Sequence, residues 1–341
     1  MGTQTNKPHS LAPMPVFSRL LEYVPAALTA LLWWSGAPLA QAQDYPARPL
    51  HLVVPFAPGG GNDTLARHIA VKLGTALGQQ VIVDNRAGAN GAVGTEFVAK
   101  ATPDGYTLLL GFVGPLAVLP HMGKLGYDPL TQLAPVGLIA NAYQVLAVHP
   151  GVPAKTVAEL VTLAKAQPGK LAYASGGAGT PLHLVPELFK LAAGVDLLNV
   201  PYKGSSPAAL SVLTGDTQLI FGAMFSTLPQ VKAGKLRALA VTSPKRLATA
   251  PDLPTLAEAG YPGVEASSWY GLLVPAGTPP AIIARLNAAL GQAMSGSDFR
   301  DVLDQQGLDA LAGSPEAFRA FMVSESAKWA RVIKAAHIVL E

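Results

Sequence analysis

The sequence predicts an α/β protein with mostly parallel sheets, organised in two halves. Short apolar segments alternate along the chain with segments of helical period, a pattern typical of parallel sheets with helices between the strands. A unit made of a strand, a glycine loop and a helix occurs at residues 50–77 and again at residues 170–193. The chain has 341 residues, which is enough for two domains. One such unit in each half therefore favours two α/β domains.

The first unit opens with the apolar run Leu50–Val54, whose composition is that of a buried parallel strand. A proline and three glycines follow, and apolar residues then recur every four positions over Leu65–Leu77. We expect a helix there, with Asn62 or Asp63 as its N-cap. The loop is not a Walker A motif, because no Gly-Lys-Ser/Thr follows it, and it lacks the third glycine of the dinucleotide fingerprint.

The second unit has the same order of parts and clearer helix signals. A predicted strand at Lys170–Ala174 leads into the glycine-rich loop Ser175–Pro181. The helix is expected from about Leu182 to Ala193, with Thr180 as N-cap, proline at the first helical position and Gly194 as C-cap. If both helices point their N-termini into one cleft, their free N–H groups would suit a carboxylate. The alternative is two unrelated turns whose glycines only solve backbone geometry.

The remaining elements continue the alternation, and two strands near Tyr143 and Trp269 are expected to cross between the domains, so that the domains are interleaved. Further strands are predicted at Gln80–Asp84, Tyr106–Gly111, Val136–Val148, Leu198–Tyr202, Gln218–Met224, Leu236–Thr242 and Ser267–Val274. Further helices are predicted through Val98 to Ala101, at Thr156–Ala166, from Ser206, in a short segment ending at Gly260, at Pro279–Met294 and at Pro315–Ala336, where Trp329 is expected to pack on the core.

Composition excludes several classes of function. The net charge is +3 with 13% charged residues, and Lys and Arg never form a basic run, so nucleic acid is not an expected partner. The chain has no cysteine, which rules out disulfides, thiolate nucleophiles and Cys-ligated metals. Its seven histidines are dispersed without a His-x-x-x-His spacing, so neither a zinc site nor any other metal or cofactor is expected.

Catalytic signatures are weak. Ser175 is not the nucleophile of a Gly-x-Ser-x-Gly elbow, because Tyr173 stands two positions before it. Asp63 suits a helix cap better than a base, and His51 reads as a structural residue of the first strand. His183 is either a packing or capping residue or a ligand contact, and Lys203 is either a cation beside the cleft or a solvated turn residue. The leading interpretation is a non-catalytic binding protein. The alternative is a secreted hydrolase that uses Ser175 or Ser205 with His183.

Residues 1–42 have the pattern of a secretory signal. Lys7 and Arg19 form a positive segment, Tyr23–Ser35 is an apolar core, and Ala40–Ala42 is an A-x-A cleavage site. The apolar core is shorter than the roughly 20 residues that span a bilayer, which argues against a membrane anchor. We therefore expect export and cleavage after Ala42, and the long positive segment leaves Met14 as an alternative start.

Ordered motifs over nearly the whole mature chain resemble the Bug-type receptors, the solute-binding proteins of tripartite tricarboxylate transporters. The matching segments are Tyr45–Pro49, Pro55-Phe56 with Gly59-Gly60 and Asp63, Leu77–Gln79, Asn85–Gly88, Pro103–Leu108, Lys165–Leu171, His183-Leu184, Val200–Gly204, Gly234–Thr242 and Trp269–Gly271. The resemblance implies a type II periplasmic-binding-protein fold, with two α/β lobes joined by two crossing strands and closing on a ligand like a hinged trap. We expect one lobe from residues 43–143 and 268–341 and the other from 144–267.

The resemblance also implies how a ligand is held and by what partners the protein is served. Such receptors hold ligand carboxylates mainly with backbone amides and waters of the two glycine loops. On this chain the implied contacts are Phe56, Ala57, Gly60 and Gly61, then Gly114 in the loop after the Leu108–Leu110 strand, then Ser175, Gly177, Ala178, Gly179, Thr180 and His183, together with Lys203. The implied setting is a periplasmic monomer that delivers a small organic acid to a two-component membrane permease or to a sensor protein.

Three positions depart from the family pattern. Many relatives have His at Asn199, Asp is common at Ser211, and an acidic residue is frequent at Gly222. An ammonium group buried without an acidic partner is expensive. The missing acid therefore favours an anion without an ammonium group, such as a di- or tricarboxylate, a hydroxy acid or an aromatic acid.

Overall fold

Strands and helices alternate along residues 45–339 of the computed structural model, which describes residues 1–4, 45–305 and 307–339. The strands are β1 (Leu50–Val54), β2 (Val81–Asn85), β3 (Thr107–Phe112), β4 (Leu133–Val148), β5 (Ala172–Ser175), β6 (Leu198–Pro201), β7 (Leu219–Ala223), β8 (Arg237–Val241), β9 (Ser267–Pro275) and β10 (Asp309–Ala310). The α-helices are α1 (Gly61–Leu77), α2 (Ala92–Ala99), α3 (Pro129–Gln132), α4 (Val157–Ala166), α5 (Pro181–Ala193), α6 (Ser205–Thr214), α7 (Met224–Lys232), α8 (Pro280–Met294), α9 (Ser297–Gln305) and α10 (Pro315–Ala335). Short helical turns lie at Ala89–Gly91, Gly114–Val118 and Leu119–His121.

The strands of the described chain follow the order β2-β1-β3-β9-β4-β7-β5-β6, with β8 and β10 paired to β4. Pairing is parallel at the two ends, where β1 lies between β2 and β3 and β5 lies between β6 and β7. In the centre, β9 runs antiparallel to both β3 and β4. The mostly parallel sheet that the sequence predicts is thus confined to the two ends.

The strand β4 belongs to both halves of this arrangement. Over Leu133–Tyr143 it pairs with β9, and over Gln144–Val148 it pairs with β7 and β8. Tyr143 pairs with Ser267, at the first residue of β9, so the predicted crossing region is the place where β4 passes from one half-sheet to the other. The lobe boundaries at 143/144 and 267/268 stay predictions.

Apolar side chains from helices bury both halves of the sheet. In the first half, Leu52 and Val54 of β1 pack with Leu65 and Ile69 of α1 and with Leu286 of α8, all of them fully buried. The four-residue spacing in α1 places its apolar residues on one face, which is why the helix covers this strand. A second cluster joins β9 to α10 and to the helices of the other half.

Local differences from the predicted elements have local causes. The N-cap of α1 is Gly60 in extended conformation, not Asn62 or Asp63, and the helix begins at Gly61. The segment before Gly260 forms turns instead of a helix, because Thr255 bridges to β8 through Val241. The helix α9 was not expected. Its buried residues are only Phe299 and Leu303, too few to stand out as a periodic pattern.

The predicted signal segment, apart from residues 1–4, lies outside the described residues. Within the part of the chain that is described, no helix combines the length and apolar character needed to cross a membrane.

Candidate functional site

The second glycine loop connects β5 to α5 and leaves backbone donors free at the helix N-terminus. Gly177 and Gly179 have φ of +102° and +72°, a conformation that favours glycine. Thr180 is the N-cap, as predicted, but its hydroxyl donates to the Gly177 carbonyl at 2.7 Å instead of capping a helical N–H. The N–H groups of Ala178 and Gly179 donate to no acceptor among the described residues. Together with the start of the helix dipole, they form a small donor site for an anion.

The first glycine loop is tied down by Asp63. This buried carboxylate accepts hydrogen bonds from the Gly59 N–H at 2.9 Å, from Arg67 Nε at 3.0 Å and from Asn85 Nδ2 at 3.0 Å. Hydrogen bonds from Arg67 and from the Gly59 amide lower the pKa of Asp63 to about 2. The residue is therefore a structural anchor for the loop, in keeping with the prediction that it does not act as a base.

A cavity of about 120 Å³ lies between segments of the two halves. Five of the predicted contacts line it: Phe56, Gly114, Ala178, Gly179 and Thr180. The other lining residues are Asn90, Phe112, Val113, Val118, Leu119, Pro181, Leu184, Val185, Ser267 and Trp329. The segments after β1, β3 and β5 therefore meet here, joined by the start of β9 and by α10.

The other predicted contacts lie outside this lining. Ala57, Gly60 and Gly61 are exposed in the first loop, and Gly177 lies in the second. Lys203 is exposed in the turn after β6. The structure thus gathers the second loop into the cavity and leaves most of the first loop facing solvent.

Ser175 and His183 stand behind the second loop. The Ser175 side chain is fully buried, and its Oγ has no hydrogen-bond partner in the described structure. His183 is half-buried, its Nδ1 is also without a partner, and burial lowers its pKa. Neither residue is part of the cavity lining.

Two lining residues that the sequence did not assign to the site are Asn90 and Trp329. Asn90 has φ of +52° and its neighbour Ala89 has φ of +44°, a strained pair in the loop after β2. The turn-rich composition of this loop was the available signal. Trp329 was expected to pack on the core, and it does so while also presenting a face to the cavity.

No lining residue of the described cavity carries an ionisable side chain. The hydrogen bonds of the nearby polar groups also run away from it. Trp329 Nε1 donates to Glu325 Oε2 at 3.1 Å, and Ser267 Oγ donates to Asn141 Oδ1 at 3.1 Å. No group of three or more potential metal ligands occurs within the described residues. The site is therefore apolar, with donors confined to a few backbone and amide groups.

Gly222 lies in β7, opposite Val145 of β4, and is not part of the lining. A Cβ at this position would collide with Oγ1 of Thr227. An acidic side chain therefore has no room at Gly222 without movement of α7.

Comparison with known proteins places the chain among receptors. The family model described as tripartite tricarboxylate transporter family receptor matches residues 65–338. Protein BugT of Bordetella pertussis is 39% identical over 301 residues, which cover 88% of this chain and 92% of that protein. The structure of R. palustris Rpa4515 with adipate is 38% identical, covers 87% of this chain and 99% of its own, and has a TM-score of 0.72. The structure of MatC from Rhodopseudomonas palustris with bound malate is 32% identical, covers 85% and 100%, and has a TM-score of 0.69.

Proposed function

The chain belongs to the tripartite tricarboxylate transporter receptor family, of Bug type, and on this basis we propose that it captures a small organic acid in the cavity between its two lobes. The membership confirms the predicted two-lobed periplasmic-binding-protein fold and the prediction of a non-catalytic receptor. The alternative of a secreted hydrolase is set aside, because the relatives in this family are solute-binding receptors.

The observation that carries the proposal is the donor site at the second glycine loop. The Ala178 and Gly179 amides stand at the N-terminus of a 13-residue helix and line the cavity without acceptors of their own in the described structure. A carboxylate placed there would receive two N–H bonds and the favourable end of the helix dipole. Adipate and malate in the two related structures have the same functional group.

The absence of acidic side chains from the described lining supports an anion that lacks an ammonium group. An α-amino acid would bring an ammonium into an apolar cavity with no carboxylate to pair it, and such burial is expensive. Succinate or malate should therefore bind more tightly than aspartate, and glutarate more tightly than glutamate. An amino acid that binds more tightly than its deaminated partner would contradict this part of the proposal.

Capture is proposed to involve closure about the strands that join the lobes. Because the cavity is lined from both halves, a ligand that contacts both would favour the closed arrangement. Small-angle scattering should then show a smaller radius of gyration at saturating ligand. An unchanged radius would indicate a rigid site that is already closed.

The first test is calorimetry with adipate and malate on Gly179→Ala and on Lys203→Ala. Alanine at Gly179 must adopt φ of +72°, and its Cβ would lie 2.6 Å from Met122 Sδ, so the loop has to shift and affinity should fall by about tenfold or more. Lys203 is exposed and outside the lining, so its variant should stay within about threefold of wild type. Loss of binding in Lys203→Ala with none in Gly179→Ala would refute the proposal.

The delivery step is the least direct part of the proposal. We assign the protein to the periplasm as a monomer that hands its acid to a two-component permease or to a sensor protein. The signal pattern and the family support this setting. Co-purification from a membrane fraction with a tagged candidate permease, in the presence and absence of ligand, would test it.

A further inference from the structure

The side walls of the cavity are hydrocarbon. Phe56 and Phe112 form one part of the lining and stand edge to face, with ring centroids 5.6 Å apart. Leu184 and Val185 of α5 and the Trp329 ring of α10 form another part. Such walls gain free energy by covering apolar ligand surface and none by covering a charged group.

The polar atoms that could have changed this character are already engaged. The indole N–H of Trp329 is held by Glu325, so the ring offers its carbon surface to the cavity. The hydroxyl hydrogens of Thr180 and Ser267 are donated to Gly177 and Asn141. The remaining donors in the described lining are the Ala178 and Gly179 amides and the side-chain amide of Asn90, for which no partner is found in the described structure.

We propose that the physiological ligand of this receptor is a monocarboxylate with an apolar body, such as a medium-chain aliphatic, alicyclic or aromatic acid. This proposal rests on the proposed function, since it assigns the single carboxylate to the second glycine loop. The body of the ligand then lies between the aromatic pair and α5, and Asn90 meets at most one neutral polar group.

A second carboxylate has no suitable place in this cavity. No Lys, Arg or His lines the described site, and the free amides at the second loop can serve only one carboxylate. A second charge would be buried against hydrocarbon without a partner or would have to remain in water, and either arrangement costs affinity. Hydrophilic acids such as malate would in addition leave their hydroxyl groups against apolar walls.

The test is a calorimetric series on the wild-type protein with hexanoate, benzoate, adipate and malate. Hexanoate and adipate have the same six-carbon chain and differ in one carboxylate, so they isolate the second charge. We expect hexanoate and benzoate to bind at least about tenfold more tightly than adipate and malate. Butyrate should bind about fifteenfold more weakly than hexanoate, since each buried methylene contributes about fourfold.

Different results separate this inference from the proposed function. Tight binding of adipate or malate with weak binding of hexanoate and benzoate overturns the inference and leaves the carboxylate receptor intact. Absence of binding by all four acids overturns both.

A variant pair at Asn90 provides a second measurement that does not depend on the core. Asn90 is exposed on the rim, so Asn90→Lys places a cation there without a folding cost beyond that of its positive φ. Asn90→Gln has the same backbone cost and no charge. We expect adipate to gain about tenfold in affinity in Asn90→Lys and nothing in Asn90→Gln. Adipate affinity that is unchanged in Asn90→Lys would contradict the assignment of an uncharged cavity.

Discussion

Glu325 supports one wall of the candidate site, and its replacement offers a quantitative test of the structure. Its side chain is buried, with 5% of the residue exposed. Oε2 accepts the indole N–H groups of Trp269 and Trp329, both at 3.1 Å, and Oε1 pairs with Lys328. The two tryptophans are themselves 0% and 2% exposed, so water cannot readily replace the carboxylate.

The expected cost of Glu325→Ala follows from these contacts. Each buried donor left without an acceptor costs about 1–3 kcal/mol, so two indole N–H groups together cost about 4 kcal/mol. Glu325→Gln keeps one acceptor oxygen for the tryptophans and loses the pairing with Lys328, so we expect about 1–2 kcal/mol. On the same helix, Glu316 is exposed in the first turn, and Glu316→Ala should cost less than about 1 kcal/mol.

Urea unfolding followed by circular dichroism measures these free energies, and calorimetry on the folded variants measures ligand affinity. Because Trp329 lines the cavity, Glu325→Ala should also weaken binding of whichever acid the wild type binds, while Glu316→Ala should not. A loss of stability in Glu325→Ala no larger than in Glu316→Ala would refute the account of the buried indole–carboxylate contacts.

Three further variants address other parts of the molecule. The pKa of Asp63 lies at about 2 in the folded chain, below the usual 3.8, so the stability that this carboxylate adds is present above pH 4 and is lost as pH falls from about 4 to 2. Asp63→Asn should flatten the dependence of unfolding free energy on pH in that window, and a variant with the wild-type slope would contradict this. A Cβ on Gly94 would lie 2.8 Å from backbone atoms of two neighbouring segments, so Gly94→Ala should cost about 1–3 kcal/mol in urea unfolding. Gly291→Ala in α8 meets open space and should be neutral or stabilising by up to about 1 kcal/mol, and equal losses in the two variants would be inconsistent with the packing. Arg319 donates to two backbone carbonyls at the start of β4, so the thermal midpoint of Arg319→Ala should fall by several degrees, whereas no change would show these bonds to be dispensable.

The parts of the site that follow from short-range rules were predictable. Thr180 before Pro181 and Gly194 after Ala193 bracket α5 by capping preferences that act within a few residues, and the structure has both. The same rules misplaced the start of α1. There Asp63 turns back to the Gly59 N–H and to Asn85, a partner from another strand, so a contact distant in sequence decides its role.

The walls of the cavity were not predictable, because they depend on tertiary contacts. Trp329 reaches the site only because α10 packs across the sheet, and its indole N–H is turned away only because Glu325 is one helical turn before it. Asn90 gave a turn signal, but its place beside the second loop depends on how the two halves meet. Sequence patterns located the donors for the carboxylate, whereas the hydrocarbon that surrounds them is a property of the assembled core.

The central position of β9 has a consequence for the order in which the chain can fold. β9 lies between β3 and β4, and Leu109 pairs with Leu273 across a long stretch of intervening chain. A nascent chain that ends before Ser267 would leave one edge of β3 and one edge of β4 open to other strands. Pairings between residues so distant in sequence form slowly. Folding of the sheet must therefore wait for late synthesis, and a chaperone that shields those two edges would have its longest period of action on this segment.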